Sequence, residues 1–361
     1  MVASTAESTT DTELEGRVSV AHIYDAWYVI CASDELGDQP LQRKLYGTSL
    51  VVFRDERGRP GVLLDRCPHR NVPLSLGRVS GPHLQCAYHG WEFDVGGTCR
   101  KVPGLCGQAE LPSRAVKSYA IRELDGYVWI WGNPDTEPEG EPFRLPKLRE
   151  AGYTTVRRVV QAEGSLHATI ENALDVPHTA FLHRGLFRGT GATNIIKAVM
   201  TRGEDHVQTQ YVGEPRPEGL AGRVLSPSGG IVTHYDRFIL PSIAQVEYAI
   251  GDENHILVSS ICTPTEDFLT RMYAVVTFKT RFPGWAIKRV LDPVAMKIFS
   301  QDQRILKIQT EAIRTFGGED YTSTEIDLMG PQIWRLLRRA AQGKSAKDTD
   351  EEWRREVELE V

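Results

Sequence analysis

No apolar run in this chain approaches the roughly 20 residues that a membrane-spanning helix requires. Its most apolar short stretches, LVVF at 50–53 and YVWIW at 127–131, have the length of strands. No block of Lys and Arg tracks along the chain as it does in proteins that follow a phosphate backbone, and 42 basic against 48 acidic residues leave a net charge of -6. Nucleic acid is therefore not an expected partner. The first residues, MVASTAESTTDTELEGR, lack the basic-then-apolar order of a secretory signal, and residues 1–17 read as a flexible tail. There is no internal repeat. Cysteine is sparse, with six in 361 residues, and without an export signal such thiols serve metals more often than disulfides. A cytoplasmic protein with no membrane span is expected, long enough for two domains that each bury a core.

What is present divides at a breaker. From 18 to 148 the chain carries short β-branched and aromatic runs, AWYVICAS, SLVVFRDERGRPGVLLD and SYAIRELDGYVWIWG, separated by turn residues. The segments 57–61 (RGRPG) and Asp125-Gly126 are hairpin signals, because glycine accepts positive φ at little cost. NPDTEPEGEPFRLPKL at 133–148 sustains neither a helix nor a central strand and marks the boundary. Beyond it, 149–343 mixes a helical segment near 165–176, strand runs at 195–212, 231–250 and 255–280, turns at 203–205 and 251–254, and a long helix from about 285 to 315. In that helix Val290, Leu291, Val294, Ile298, Ile305 and Ile308 give approximately helical apolar spacing. The fold class is α+β, an all-β antiparallel domain followed by an antiparallel sheet with helices against it. Residues 344–361 form a charged tail, expected as a solvated terminal helix or disordered chain.

The densest chemistry lies in DRCPHRNVPLSLGRVSGPHLQCAYHGWEFD at 65–94. Cys67-x-His69 and Cys86-x-x-His89 are two ligand pairs separated by sixteen residues, each expected at a hairpin tip. A Cys2His2 zinc site would use the same donors. Zinc fingers, however, group cysteine with cysteine and histidine with histidine, whereas here each loop supplies one of each. That mixture suits a two-iron cluster with both cysteines on one iron and both histidines on the other. Cys31, Cys99, Cys106 and Cys262 read as buried or incidental thiols.

With CPHR at 67–70, CAYHGWEFD at 86–94 and a glycine at 97, this region resembles the Rieske domain of oxygenases. It departs from the respiratory type, whose loops resemble CTHLGC and CPCHGS, and it has no cluster-bracing disulfide. The resemblance implies a 2Fe-2S Rieske cluster held by Cys67, His69, Cys86 and His89, at a lower potential than the respiratory type. Gly90 and Trp91 are expected in turn and packing roles.

Downstream, SLHATIENALDVPHTAFLH at 165–183 contains Asn172, Asp175, His178 and His183. His178 and His183 are five apart, which an unbroken helix would splay by roughly 140°. Pro177 should kink or end the helix and let them converge. Two histidines and a carboxylate leave half of an octahedral ferrous ion open for dioxygen and substrate. FSQDQRILKIQ at 299–309 offers Asp302 in an apolar helix, where an unpaired acid is costly. Asp292 and Glu311 compete with it, each with a solvated-face reading.

The order Asn172, Asp175, His178, His183 and then a distant Asp302 resembles the catalytic domain of the Rieske non-haem iron oxygenases. With the first motif, the likeness covers the chain from about 20 to 315. It implies that His178, His183 and Asp302 bind a mononuclear Fe(II), that Asp175 is a hydrogen-bonding bridge and that Asn172 stands near the open coordination sites. His167 falls outside the pattern and reads as structural. The resemblance also implies a homotrimer, with a larger α3β3 assembly as the alternative, in which Asp175 joins His178 to His89 of the partner subunit. Dioxygen would be the co-substrate. The chain shows no G-x-G-x-x-G and no four-cysteine ferredoxin motif, so NAD(P)H would act only through a separate reductase, with or without a ferredoxin.

The compact architecture looks like the monooxygenase and demethylase branch, acting on a hydrophobic ring-containing small molecule, aromatic or polycyclic. Leu186, Phe187, Ile195, Ile196, Tyr235, Phe238, Leu240 and Tyr248 are candidates to line its pocket, although each also suits a sheet core. A cis-dihydroxylating dioxygenase and a non-catalytic Rieske electron carrier are the alternatives.

Overall fold

A computed structural model of the chain describes residues 17–183, 195–213, 232–250, 254–344 and 353–360. The chain forms two compact units, one made of Ile23–Leu145 with Thr263–Glu266, the other of the remaining residues. Both are dominated by antiparallel sheets, and the fold is the α+β arrangement expected.

The first unit contains β1 (Trp27–Ala32), β2 (Leu41–Leu45), β3 (Thr48–Arg54), β4 (Pro60–Leu64), β5 (Arg78–Ser80), β6 (His83–Gln85), β7 (Glu92–Phe93), β8 (Cys99–Lys101), β9 (Ile121–Leu124) and β10 (Tyr127–Trp131). They form three small sheets, ordered β1-β10-β9, β2-β3-β4 and β5-β6-β7-β8. The apolar runs that stand out in the sequence are the strands covered on both faces: all of β10 is buried, as are Leu50, Val51, Val52 and Phe53 of β3. Asp125 and Gly126, with φ of 55° and 83°, make the two-residue turn between β9 and β10, whose twist matches that of the strands it joins. Arg57, Gly58 and Arg59 of RGRPG likewise lie in the β3–β4 connection, and Pro60 and Gly61 open β4 opposite Arg54 and Phe53.

The second unit contains β11 (Thr154–Ala162), α1 (Leu166–Leu174), α2 (Thr179–Leu182), β12 (Ile195–Arg202), β13 (His206–Val212), β14 (Val232–Ile239), β15 (Ile243–Ile250), β16 (Asn254–Glu266, all but its last four residues), β17 (Leu269–Lys279), α3 (Gly284–Phe316), α4 (Gly330–Ala341) and β18 (Trp353–Glu360). Its eight-stranded sheet runs β11-β17-β16-β15-β14-β13-β12-β18, and α1 packs against β14 and β15 and against α3 and α4. Strand β14 alternates strictly, with Val232, His234, Asp236 and Phe238 buried and the residues between them less so. His234 is stacked between Tyr211 and Tyr248, at ring-centroid distances of 4.5 and 4.1 Å, and its Nε2 lies 3.0 Å from Asp236 Oδ1.

Several expectations are corrected. The C-terminal segment is not wholly a solvated helix or disordered: Trp353–Glu360 pairs antiparallel with β12, Leu359 opposite Ile196. Trp353, Val357 and Leu359 recur with the period of a strand, and the charges lie between them. Residues 18–22, expected to open the first domain, group with the second unit, where Val18 and Val20 pack on Phe268 and Ile313. In α3 the inward stripe is rotated from the expected one. Ile305 and Ile308 are 41% and 48% exposed, while Leu306, Thr310 and Ile313 are buried at helical spacing that extends back to Asp302. The pocket candidates do not share a face: Phe238 and Ile196 are core, Ile195 is exposed, and Tyr235 lies on the other side of β14, beneath Arg237. Leu186, Phe187 and the 251–253 part of the expected turn lie outside the described residues.

Candidate metal centres

In the first unit the two ligand loops are built alike. The Cys67 amide donates to Val72 O and the Asn71 amide to Cys67 O, at 3.0 and 2.9 Å; the Cys86 amide donates to Trp91 O and the Gly90 amide to Cys86 O, at 2.8 and 3.1 Å. Each loop closes through a left-handed residue four after its cysteine, Asn71 with φ 63° and Gly90 with φ 68°. Glycine is at ease there and asparagine is among the few other residues that tolerate it. Asp65, buried, braces the first loop by accepting from the Ser75 amide and hydroxyl, both at 2.7 Å, and from Gln42 at 3.0 Å.

This construction buries the cysteines and leaves the histidines at the tip. Cys67 and Cys86 belong to one apolar cluster with Val51, Phe53, Leu74, Leu84 and Phe93, and both are free thiols. Burial pushes the Cys67 thiol up to about 11, so a metal must displace its proton. His69 and His89 have ring centroids 4.4 Å apart, and Trp91 stacks on His69 at 4.8 Å and 7°. Desolvation, then His89 and Arg70, hold His69 below its ordinary value, which keeps it a neutral imidazole fit to ligate. Its Nδ1 is buried without a hydrogen-bond partner, as a ligand atom would be. His89 and Tyr88 are exposed. The four donors thus fit a Rieske cluster. Trp91 packs, as expected, and the ring it packs on is that of His69.

In the second unit α1 starts at Ser165, whose hydroxyl accepts from the Ala168 amide at 3.1 Å, and stops at Leu174. Pro177 ends the helical run, and the chain resumes as α2. His178 and His183 stand at the two ends of α2, with their Nε2 atoms 3.3 Å apart. Asp302 comes in from α3, its Oδ1 at 3.1 Å from His183 Nε2 and 3.8 Å from His178 Nε2. One donor atom from each of the three lies within 4.8 Å of the others, the only such group among the described residues.

The other nitrogen of each ring is held by oxygen: His178 Nδ1 by Asp175 Oδ2 at 3.2 Å, and His183 Nδ1 by Gln301 Oε1 at 3.0 Å. Asp302 Oδ1 is buried with no hydrogen bond of acceptable geometry. A buried carboxylate oxygen in that condition, facing two imidazole nitrogens, fits a divalent cation. Burial pushes His183 down, but the Asp302 carboxylate and the Gln301 carbonyl outweigh it and raise its affinity for a proton.

The competing acids are elsewhere: Asp292 is paired with Arg158, and Glu311 is exposed. Asn172 stands half-buried on α1 and takes no part in the hydrogen bonds holding the histidines. His167 is buried, hydrogen-bonded to Gly330 O at 2.9 Å and edge-on to Trp334, as a structural residue. Burial raises Glu171, one turn before Asp175, above the usual carboxylate range; His167 opposes this and Asp175, Asp327 and Glu319 add to it. Gln301 was not a sequence candidate; its adjacency to Asp302 is the only signal.

A Cys2His2 loop pair joined in one chain to a two-histidine, one-carboxylate group defines an iron-dependent redox protein with two kinds of metal centre. Comparison with known proteins agrees. The family model for the Rieske 2Fe-2S domain matches residues 26–119, and that for the vanillate O-demethylase oxygenase C-terminal domain matches 163–343. The chloroacetanilide N-alkylformylase oxygenase component of Rhizorhabdus wittichii is 31% identical over 339 residues, covering 88% of this chain and 94% of that protein. The dicamba O-demethylase oxygenase component of Stenotrophomonas maltophilia is 36% identical over 165 residues; the match spans 45% of this chain and only 48% of that relative. A solved structure of dicamba monooxygenase bound to dicamba shares the fold, with a TM-score of 0.77 at 23% identity over 89% of this chain and 98% of that one. The chain belongs to the Rieske non-haem iron oxygenases, as a catalytic (alpha) subunit whose C-terminal domain is of the vanillate O-demethylase oxygenase type. Its cofactors are accordingly a Rieske 2Fe-2S cluster and a mononuclear non-haem iron. No helix among the described residues is long and apolar enough to cross a membrane.

Proposed function

We propose that this chain is the oxygen-activating component of a multi-protein monooxygenase that hydroxylates or oxidatively dealkylates a hydrophobic, ring-containing small molecule. The reading is carried by the convergence of His178, His183 and Asp302 in a chain that also bears the Rieske loops. A pure electron carrier would give those three residues no task. The relatives' names, an O-demethylase and an N-alkylformylase, favour dealkylation.

His178, His183 and Asp302 hold the ferrous ion, and Cys67, His69, Cys86 and His89 hold the cluster. When bound, the iron offers open positions for dioxygen and the cluster supplies electrons one at a time. The chain's own residues prepare that chemistry. Asp175 accepts the Nδ1 proton of His178, which leaves Nε2 as the donor to metal. Asn172, half-buried on α1, would stand near the positions left open on the iron. The protein assembles head to tail as a ring of three, in which Asp175 also reaches His89 of the partner subunit; the exposure of His89 and a 34% exposed Asp175 side chain are compatible with that bridge. Electrons come from NAD(P)H through a separate reductase, with or without a ferredoxin, because the chain has no nucleotide-binding motif of its own.

The test is oxygen uptake and product mass with a surrogate reductase against methoxy-, N-alkyl- and alkyl-substituted ring compounds. Substrate-dependent uptake with a product that gains one oxygen atom or loses an alkyl group is expected. A diol carrying both oxygen atoms would make the protein a dihydroxylase, and a cluster that cycles with no oxygen consumption for any compound would make it a carrier.

A further inference from the structure

We propose that Gln301 is the positioning residue that locks His183 in the tautomer able to bind iron, and so governs how tightly the mononuclear site holds its metal. A neutral imidazole has one nitrogen that carries the proton and one that offers a lone pair. The Nε2 of His183 faces His178 Nε2 at 3.3 Å and Asp302 Oδ1 at 3.1 Å. For that nitrogen to bind metal, the ring proton must sit on Nδ1. The Nδ1 atom meets Gln301 Oε1 at 3.0 Å, and the ring is 2% exposed, so bulk water is a poor substitute for that acceptor. With the amide reversed, its NH2 would donate to Nδ1, push the proton onto Nε2 and close the site to metal. One amide orientation therefore permits ligation and the other forbids it.

The two histidines are held by unlike acceptors. His178 has the carboxylate of Asp175, whereas His183 has a neutral amide. A carboxylate acceptor makes an imidazole the stronger donor, so His183 is the weaker of the two nitrogen ligands. Gln301 and Asp302 are also adjacent on α3, about 100° apart around its axis, and they address the two nitrogens of one ring. The helix that supplies the carboxylate also aims the imidazole, and a shift in α3 would disturb both together.

The inference rests on the reading of His178, His183 and Asp302 as iron ligands, and the experiment separates the two. Ferrous iron affinity is measured in the full-length, cluster-loaded protein by competition with a chelator, and the environment of the bound iron by the spin-resonance spectrum of its nitric oxide complex. Gln301→Met, which keeps the length and loses the acceptor, should weaken iron binding by about 10–100-fold and alter the nitrosyl spectrum, with the cluster's visible spectrum unchanged. Gln301→Glu should restore binding to the wild-type level or tighter, a rescue that mere packing would not give. Equal affinity and an identical nitrosyl spectrum in Gln301→Met, or Gln301→Glu binding iron less tightly than wild type, overturns the inference. If Asp302→Ala retains mononuclear iron, the ligand reading itself falls and takes the inference with it. If Asp302→Ala loses iron while Gln301→Met does not, the inference alone falls.

Discussion

The two metal centres of this chain are assembled in opposite ways. The proposed Rieske ligands come from two loops within one stretch of sequence, each closed on itself by its own backbone hydrogen bonds and each rooted in an apolar cluster through its cysteine. The proposed mononuclear site is gathered: its histidines flank a four-residue helix, and its carboxylate arrives from a helix more than 100 residues later. Locally determined geometry survives changes elsewhere, whereas a gathered site depends on how separate elements pack. Substitutions should therefore damage the centres independently, and second-rank changes should be felt more at the gathered one.

The largest effects test that independence. Cys67→Ser should abolish the Rieske chromophore, because a serine oxygen is a poor substitute for a thiolate, and leave mononuclear iron bound. Asp302→Ala should do the reverse. Loss of both metals in either variant, measured by iron analysis and visible spectroscopy, would break the comparison. Next in size, Asp175→Asn should keep both metals yet lower turnover at least about 100-fold, since an amide cannot provide the charged acceptor that His178 now has; near-normal turnover would remove the bridging role. Asp292→Ala should leave the iron in place and cost about 1 kcal/mol or less, measured by denaturant unfolding, as expected for a partly exposed pair with Arg158.

The smallest effects sharpen the likeness of the two loops. Gly90→Ala places a Cβ at positive φ and 3.1 Å from Pro103 Cγ, and should cost about 1–2 kcal/mol. Asn71→Gly, at the matching position, should change stability by only a few tenths of a kcal/mol. A larger loss at Asn71 would show that its side chain, which accepts from Arg66 Nε at 2.8 Å, matters more than its backbone angle.

The same contrast explains what was legible in the sequence. The Rieske loops announce themselves because ligand type, spacing and turn residues all fall within thirty positions. The break at Pro177 is equally local, and so were the stop of α1 and the approach of His178 to His183. The choice among Asp292, Asp302 and Glu311 was not local. It depends on which face of α3 turns inward, and the apolar residues Ile305 and Ile308 point to the wrong face while Leu306, Thr310 and Ile313 hold the right one. Gln301 stayed hidden because a polar residue on a long helix has an ordinary solvated reading until a buried imidazole is found against it. The terminal strand was masked by its charges, which obscure a period of two carried by Trp353, Val357 and Leu359.

The most direct measurement is the iron and acid-labile sulfide content of the purified chain after maturation with ample iron and sulfide. Two centres of different kinds predict about three irons and two sulfides per chain, falling to about two irons with sulfide unchanged in Asp302→Ala. Zinc in place of iron, a wild-type protein that never exceeds two irons, or an Asp302→Ala variant that keeps the third, would contradict it.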